Sequence, residues 1–198
     1  MARAKVVQIS GVHGVGKTEL IARLAELHRD WVPLDEFSSP KPPYPFGSLG
    51  EKGFINEVWV LRQLLERNRW RPPAEAKVVL ADRGFEDALV YSRVLLNDEL
   101  FELFEEIWRI LYGLYQYRPT LIILLDAPVD VILERIRSRG RPTMREWRED
   151  DEEYVASLRE KFLELVAPLE VVEVVKADSL DDEAKTVERI LVERGIIL

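Results

Sequence analysis

The segment GVHGVGKT, residues 11–18, has the residue types and the spacing of a loop that binds phosphate. It fits the pattern G-x-x-x-x-G-K-[ST], in which glycines let backbone N–H groups approach an anion and the next helix adds the positive end of its dipole. We expect Lys17 to reach the β- and γ-phosphates of a nucleotide and Thr18 to offer its hydroxyl to Mg²⁺. The predicted phosphate site comprises Gly11, Val12, His13, Gly14, Val15, Gly16, Lys17, Thr18 and Glu19.

His13 lies inside this loop. Its imidazole could contact a phosphate or an acceptor molecule. A loop position outside the glycine and lysine pattern favours a solvated imidazole, and that is what we expect.

An acidic and a basic residue, Asp82 and Arg83, stand at the end of the apolar run at 77–82. A carboxylate at a strand end beside a phosphate loop can hold Mg²⁺ through water or polarise an attacking hydroxyl. The arginine can then bind an acceptor's phosphate or the transferring one. The alternative is a buried pair of opposite charges that only fixes the turn. Asp126, after the next apolar run, is a rival for the metal role, but Pro128 favours a helix cap there.

Six arginines stand between residues 134 and 150. Arg135 and Arg139 are four residues apart on one helix face, and Gly140 then ends the helix before Arg141. This arrangement is typical of a lid that closes guanidinium groups over transferring phosphates and excludes water. The alternative is a solvated helix end whose arginines pair with nearby acids.

Five short apolar runs predict buried strands at 4–10, 31–35, 77–82, 120–126 and 171–176. Helical patterns fill the intervals at 17–28, 50–70, 85–97, 99–116, 129–139, 150–166 and 181–194. Alternation of strands and helices predicts an α/β fold, a five-stranded parallel sheet of the P-loop NTPase type with helices on both faces. Ligands of such folds bind beyond the carboxyl ends of the strands, where the phosphate loop and the Asp82–Arg83 pair fall. We expect one domain over 1–198, with an arginine-rich lid at about 137–150.

Composition narrows the classes of function. The chain has 198 residues and a formal net charge of -8, which argues against nucleic acid and anionic membranes as partners. The absence of cysteine excludes disulfides and thiolate metal sites. No signal peptide or membrane-spanning run is recognisable, so we expect a cytoplasmic protein. The apolar helix at 99–117 suits either a central core helix or a homodimer interface, and we favour the dimer.

Four segments together resemble the deoxynucleoside kinase and thymidylate kinase branch of the P-loop kinases. GVHGVGKTEL resembles the phosphate loop of that family, and ADRGFEDALVYSRVL resembles its [DE]-R motif with the following helix. LIILLDAPVDVILERIRSRGR resembles the strand and helix that lead to the lid arginines. VVKADSLDDEAKTVERIL resembles the last strand and the loop near the adenine. The resemblance spans most of the chain and implies ATP- and Mg²⁺-dependent phosphoryl transfer to a nucleoside or a nucleoside monophosphate.

The resemblance also implies roles for matching residues. Lys17 and Thr18 serve the donor phosphates and Mg²⁺, and Asp82 with Arg83 lies at the 5′ end of the acceptor. The lid clamp comprises Arg135, Arg139 and Arg141. Catalysis is assigned to Lys17, Asp82, Arg83, Arg139 and Glu36, with Thr18 and Asp82 as metal ligands.

The acceptor pocket follows from the same resemblance. Glu36 resembles the carboxylate that deoxynucleoside kinases use as general base on the 5′-hydroxyl, and the alternative is an exposed loop residue. The choice of base between Glu36 and Asp82 stays open. The helix at 54–68 is implied to line the base pocket, although one of its candidates, Trp59, equally suits the core. The acceptor candidates are Glu36, Asn56, Glu57, Trp59, Arg62 and Arg83.

The chain departs from both branches of the family. Thymidylate kinases carry Arg-Glu-Pro-Gly-Gly after the second strand, where this chain has DEFSSPKPPYP. Deoxynucleoside kinases usually have Glu-Arg-Ser after the third strand, where this chain has Asp-Arg-Gly. Two other classes of function stay open: an ATPase or nucleotide-binding switch acting on a protein partner, and a kinase of nucleic-acid 5′ ends.

Overall fold

The sheet predicted from the apolar runs is present in the computed structural model, which describes residues 4–36, 41–139 and 147–197. All strand pairs are parallel. The strands are β1 (Lys5–Ser10), β2 (Trp31–Leu34), β3 (Val78–Asp82), β4 (Leu121–Asp126) and β5 (Val172–Lys176).

The strand order β2-β3-β1-β4-β5 puts β1 at the centre of the sheet. The chain turns to one side of β1 for β2 and β3 and to the other for β4 and β5, so the loop after β1 lies where the topology reverses direction. Pro33 interrupts the second apolar run, and the order explains why it is tolerated: β2 is an edge strand, where a missing N–H leaves no partner unbonded.

Within the described part of the chain, seven helices alternate with these strands as predicted. They are α1 (Lys17–Leu27), α2 (Gly50–Glu66), α3 (Phe85–Leu95), α4 (Asp98–Leu114), α5 (Val129–Ser138), α6 (Glu152–Leu165) and α7 (Leu180–Glu193). A 3₁₀ turn at Arg67–Arg69 follows α2 directly. Five consecutive residues of β4 are buried, and since successive side chains point to opposite faces, helices cover both faces of the sheet.

The carboxyl ends of β1, β2 and β3 lie side by side at one edge of the sheet. Ile9 is paired with Asp82, and Leu34 is paired with Ala81. The phosphate loop, Glu36 and the Asp82–Arg83 turn therefore emerge next to one another, as the strand pattern predicted. Among the residues that the structure describes, no helix combines the length and the apolar character needed to cross a membrane.

Candidate active site

A cavity of about 410 Å³ opens at this edge of the sheet. It joins the phosphate loop to the residues after β2 and β3, to α2 and to α3. Its sequence-predicted lining residues are His13, Gly14, Gly16, Lys17, Thr18, Glu19, Glu36, Glu57, Asp82, Arg83 and Arg139. The other lining residues are Phe46, Gly47, Val60, Leu64, Gly84, Asp87, Ala88, Tyr91, Trp147, Glu149 and Tyr154.

The phosphate loop has the backbone that the glycine pattern predicted. Gly14 has φ +86°, and a Cβ there would come within 2.6 Å of the Ile136 side chain. The Lys17 ammonium is buried and donates to the carbonyl oxygens of Gly11 and Val12, at 2.9 and 3.0 Å. Burial and the nearby Arg83 charge lower the pKa of Lys17. Val12 and Val15 are buried in the core, so their side chains hold the loop in place.

Thr18 and Asp82 meet as the metal prediction requires. The Thr18 hydroxyl donates to Asp82 Oδ2 at 2.9 Å. Asp82 Oδ1 is buried and has no hydrogen-bond partner among the described residues. A hydroxyl and a carboxylate oxygen with unused capacity are the oxygen donors that Mg²⁺ prefers.

Arg83 is the half-buried cation between the phosphate loop and α2. Its backbone is left-handed, with φ 58°. Its Nη1 lies 3.2 Å from Glu36 Oε1, and the guanidinium lies 4.8 Å from the centre of the Tyr91 ring. Burial opposes this charge, but Glu36, Tyr91 and Asp87 outweigh burial and raise the pKa of Arg83. Arg83 therefore pairs with Glu36 rather than with Asp82.

Two carboxyl groups, Glu36 and Glu57, have raised pKa values and therefore ionise less readily than usual. Burial raises the pKa of Glu36, although the Arg83 charge partly offsets this effect. Burial raises the pKa of Glu57 to about 8, with Arg83 acting in the opposite direction and Glu36 adding to the rise. Both carboxyls therefore take up protons more readily than exposed glutamates.

Arg67 positions the ends of β2 and β3, a role that no motif in the sequence indicates. It is buried, and its Nε donates to the Asp35 carbonyl at 2.9 Å. Its Nη1 and Nη2 donate to the carbonyls of Arg83 and Asp82, at 2.9 and 2.5 Å. The fork of one guanidinium thus fixes the backbone on which Glu36, Asp82 and Arg83 are carried.

Asp87 links the phosphate loop to the start of α3. Its carboxylate accepts from the Ser10 hydroxyl at 2.7 Å, the Gly84 N–H at 3.1 Å and the Gly11 N–H at 3.3 Å. The spacing of Gly84, Asp87 or Ala88, and Tyr91 is a helical signal that these residues share one face, and this face lines the cavity. This face of α3 was not predicted from the sequence, where the candidate residues of this segment ended at Arg83.

The prediction that the His13 imidazole is solvated is wrong, because both ring nitrogens have protein partners. Its Nδ1 lies 3.2 Å from the Tyr91 hydroxyl, and its Nε2 lies 3.0 Å from the Glu149 carbonyl. Since a carbonyl only accepts, Nε2 carries the proton and Nδ1 accepts from Tyr91. Burial, with the Arg83 charge, lowers the pKa of His13 to about 3, so the ring is neutral. The expectation failed because both partners are more than seventy residues away in the sequence.

The arginines after β4 differ in burial and in the residues that they contact. Arg135 is half-buried and donates to the carbonyls of Val15 at 2.6 Å and Ala177 at 2.8 Å, so it joins the phosphate loop to the segment after β5 and is not part of a solvated helix end. Arg139 is exposed and lines the cavity. Arg141 lies outside the described residues, as does half of the expected lid, residues 140–146.

The acceptor candidates on α2 divide by helix face. Glu57 lines the cavity together with Val60 and Leu64, at spacings of three and four residues. Asn56 instead bonds to the backbone of Tyr44 and Pro45, which orders the loop before α2. Trp59 is half-buried with its ring 6.2 Å from that of Phe46, and Arg62 is exposed; neither lines the cavity.

Asp126 serves neither of the roles expected for it. Its two carboxylate oxygens accept from Nε and Nη2 of Arg159, at 2.7 and 2.9 Å. The residue that caps α5 is Pro128, and no side chain bonds to its first turn. The capping expectation was wrong because the competing partner comes from α6, which the local sequence cannot indicate.

The raised pKa of Glu57 gives a pH prediction. Between about pH 4.5 and 8 the folded chain holds a proton on Glu57 that the unfolded chain releases, so rising pH costs stability over this range. Glu57→Gln removes this cost. We expect the variant to gain about 1–3 kcal/mol in free energy of unfolding relative to the wild type between about pH 5 and pH 9.

Urea unfolding at several pH values measures this difference. Glu51→Gln, an exposed carboxyl on the same helix, is the matched control and should show no pH-dependent difference. A difference for Glu57→Gln that stays constant with pH would contradict a protonated Glu57.

Sequence relatives are kinases by name. The chain is 29% identical over 141 residues to "Probable thymidylate kinase" of Metallosphaera sedula, a match that covers 68% of this chain and 66% of that protein. It is 27% identical over 168 residues to "Probable thymidylate kinase 1" of Saccharolobus solfataricus, with 81% of this chain and 82% of that protein covered. No family model matches the chain.

Solved structures share the fold. A deoxyadenosine kinase from M. mycoides with bound dATP has a TM-score of 0.72 at 16% identity, with 94% of this chain and 99% of that chain covered. Its complex with the products dCMP and dCDP has a TM-score of 0.71 at 15% identity, with 95% and 98% covered. A thymidylate kinase from Candida albicans has a TM-score of 0.69 at 16% identity, with 99% and 94% covered.

The sequence relatives, the shared fold and the intact phosphate loop agree with one another and with the motifs in the sequence. In sequence and in fold, the chain is therefore similar to the P-loop kinases of the deoxynucleoside and thymidylate kinase group, whose members are phosphotransferases.

Proposed function

We propose that the chain transfers the γ-phosphoryl group of ATP, with Mg²⁺, to a nucleoside or a nucleoside monophosphate. The main support for the proposal is that the phosphate loop lines the same cavity as Glu36, Arg83 and Glu57. Donor and acceptor can thus meet in one cavity. Phosphoryl transfer depends mostly on such positioning and on neutralised charge.

The donor half consists of the phosphate loop and the arginines after β4. Lys17 bonds to two loop carbonyls, and we infer that its ammonium exchanges these for phosphate oxygens when ATP binds. Arg135 touches both the phosphate loop and the segment after β5, which supports a position beside the nucleotide. Arg139 lines the cavity from the end of α5, at the start of the proposed lid, which spans about 137–150 and includes Arg141.

Thr18 and Asp82 fit the metal. Asp82 Oδ1 is buried without a partner in the described part of the chain, and the Thr18 hydroxyl adjoins the same carboxylate. When bound there, Mg²⁺ neutralises charge on the donor phosphates. Within the described ranges no group of three or more His, Cys, Asp or Glu side chains could hold a metal. A site of one carboxylate and one hydroxyl, completed by the substrate, suits Mg²⁺ because this ion keeps several waters.

Glu36 is the better candidate for the general base. Asp82 is engaged with Thr18, whereas Glu36 lies in the cavity beside Arg83 with its pKa raised by burial. A carboxyl whose pKa is closer to neutrality accepts a proton from a hydroxyl more effectively. These contacts support Asp82 in the metal role and Glu36 as the base on the acceptor hydroxyl.

The acceptor half has an apolar and aromatic wall suited to a nucleobase. Val60 and Leu64 come from α2, Tyr91 from α3 and Tyr154 from α6. Phe46 and Trp147 pack edge to face at 5.1 Å and complete the wall. Flat aromatic side chains around one carboxyl, Glu57, supply both stacking surface and a polar partner for a base.

We also propose that the protein acts in the cytoplasm, which supplies ATP, and that α4 forms a homodimer interface. Leu103, Ile110 and Leu114 are 49%, 67% and 61% exposed along this helix. An adjacent face of α4, with Phe104 fully buried, packs in the core. We therefore propose that the helix serves both of the uses that its apolar pattern suggested.

A coupled assay tests the transfer reaction. We expect ADP release in the presence of Mg²⁺ and ATP to rise at least about tenfold when a nucleoside or its monophosphate is added, because the acceptor replaces water in the site. Lys17→Ala should reduce kcat/KM by about 10³-fold or more, since it removes charge from the transition state. Lys185→Ala, an exposed lysine on α7, is the control. ADP release that no acceptor stimulates would instead favour an ATPase or a switch.

A magnesium titration tests the metal ligands. Thr18→Val keeps the shape of the side chain but removes its hydroxyl, so we expect half-maximal activity to need about tenfold more Mg²⁺ or more. Thr186→Val on α7 is the matched control and should leave the titration unchanged. An unaltered Mg²⁺ requirement in Thr18→Val would remove Thr18 from the metal site.

Equilibrium sedimentation tests the dimer. The wild type should sediment as a dimer at micromolar concentration, and Ile110→Glu should sediment as a monomer because the new charge lies in the apolar face. A wild type that is monomeric at these concentrations would contradict the interface.

A further inference from the structure

The two ring nitrogens of His13 bond to residues of different elements that line the cavity. Nδ1 lies 3.2 Å from the Tyr91 hydroxyl of α3, and Nε2 lies 3.0 Å from the Glu149 carbonyl oxygen, in the segment before α6. The backbone N–H of His13 also donates to the Tyr91 hydroxyl, at 3.1 Å. One residue of the phosphate loop is therefore bonded both to α3 and to the segment that leads into α6.

The bonds to Tyr91 bear on the position of Arg83. The Tyr91 hydroxyl accepts from the His13 N–H and donates to Nδ1, so both bonds hold the ring of Tyr91. Burial and the Arg83 charge lower the pKa of His13 to about 3, and Nδ1 is therefore unprotonated and able to accept. The Arg83 guanidinium lies 4.8 Å from the centre of that ring, and its buried Nε has no hydrogen-bond partner within the described ranges. His13 thus helps to orient a guanidinium that still has a donor for a ligand.

The bond to Glu149 holds the segment at 147–149 beside the phosphate loop. This segment also meets the loop before α2, where Phe46 and Trp147 pack edge to face at 5.1 Å. Gly47 has φ +82°, and a Cβ there would come within 2.7 Å of the Trp147 carbonyl oxygen. The segment is therefore in contact with the phosphate loop through Glu149 and with the loop before α2 through Trp147. Loss of either contact should displace the aromatic wall of the acceptor half.

We propose that His13 is a positioning residue with two separable effects. Its Nδ1 orients Tyr91 and Arg83 for phosphoryl transfer, and its Nε2 holds the aromatic wall in place for acceptor binding. The inference rests on the proposed kinase reaction and goes beyond it by assigning the two nitrogens to different kinetic constants. A guanidinium that acts on the transferring group affects kcat, whereas a wall that contacts the acceptor before and during transfer affects KM.

Two substitutions separate these effects, because an asparagine amide can take the place of Nδ1 and a glutamine amide that of Nε2. His13→Asn keeps an acceptor for Tyr91 and loses the donor to Glu149, so we expect KM for the acceptor to rise about tenfold with kcat within about threefold of the wild type. His13→Gln keeps the donor to Glu149 and loses the acceptor for Tyr91, so we expect kcat to fall about tenfold with KM within about threefold. Tyr91→Phe should lower kcat as His13→Gln does, and the double variant should lower it no further. The assay uses ATP, Mg²⁺ and whichever deoxynucleoside or deoxynucleoside 5′-monophosphate the wild type phosphorylates fastest.

Gly47→Ala reaches the same wall from the loop before α2. Its added Cβ meets the Trp147 carbonyl, so KM for the acceptor should rise about tenfold with kcat within about threefold. Gly50→Ala is the matched control, since Gly50 also has a left-handed φ of +60° but no atom within 4 Å of the added Cβ. His28→Gln is the control for the loss of an imidazole, since His28 bonds to Glu188 and does not line the cavity. Both controls should have the kinetic constants of the wild type.

Thermal unfolding of each variant identifies a merely structural role. If His13→Asn and His13→Gln lower the unfolding temperature but leave kcat and KM unchanged, the inference is overturned and the kinase reaction stands. Equal changes of kcat and KM in both variants would overturn the separation of the two nitrogens. A wild type that transfers phosphate to none of these nucleosides and monophosphates contradicts the kinase reaction itself, and the inference with it.

Discussion

The positive charge of the Arg83 guanidinium is what the rest of the site depends on. It opposes the effect of burial at three carboxyls, Glu36, Glu57 and Asp87, whose pKa values would otherwise rise further. Burial and, to a smaller extent, the Arg83 charge lower the pKa of His13, which keeps that ring neutral and able to accept from Tyr91. A carboxylate removed from water without a nearby cation is costly, so the acid-lined cavity is compatible with a stable fold because this arginine is at its centre.

Keeping that charge in place requires a backbone that an arginine rarely adopts. Arg83 has φ 58°, a conformation that surrounding bonds must maintain. Arg67 provides two of them through the carbonyls of Asp82 and Arg83, and it also holds Asp35 beside them. The strand ends that carry Asp82, Arg83 and Glu36 are thus tied by one buried side chain. This arrangement fixes the distance between the proposed metal ligand and the proposed general base.

Much of this molecule could be predicted from local sequence. The phosphate loop, the five strands and the position of Asp82–Arg83 at a strand end follow from glycine spacing and short apolar runs, because these patterns are recognisable without knowledge of the residues that they contact. The carboxyl-edge location of the site follows from the parallel topology alone. The same topology brings Thr18, which follows β1, close to Asp82 at the end of β3.

Side-chain partnerships across long sequence separations could not be predicted in this way. His13 was expected in solvent, and Asp126 was expected to cap a helix, but each has partners brought in by the packing of α6 or of the segment just before it. The division of α2 into a cavity face with Glu57 and a loop-ordering residue, Asn56, depends on which face meets α3. Helical spacing does contain that information, since Glu57, Val60 and Leu64 recur together.

We propose that Arg83 and its two carboxyl neighbours form the acceptor site of a kinase. The most direct test is a crystal structure of the protein with a non-hydrolysable ATP analogue and a nucleoside. We expect the triphosphate on the phosphate loop, the 5′-oxygen of the nucleoside within about 3.2 Å of a Glu36 carboxylate oxygen, and the base against Tyr91 and Tyr154 with its edge towards Glu57. A nucleoside bound elsewhere, or bound with its 5′-oxygen remote from Glu36, would contradict it.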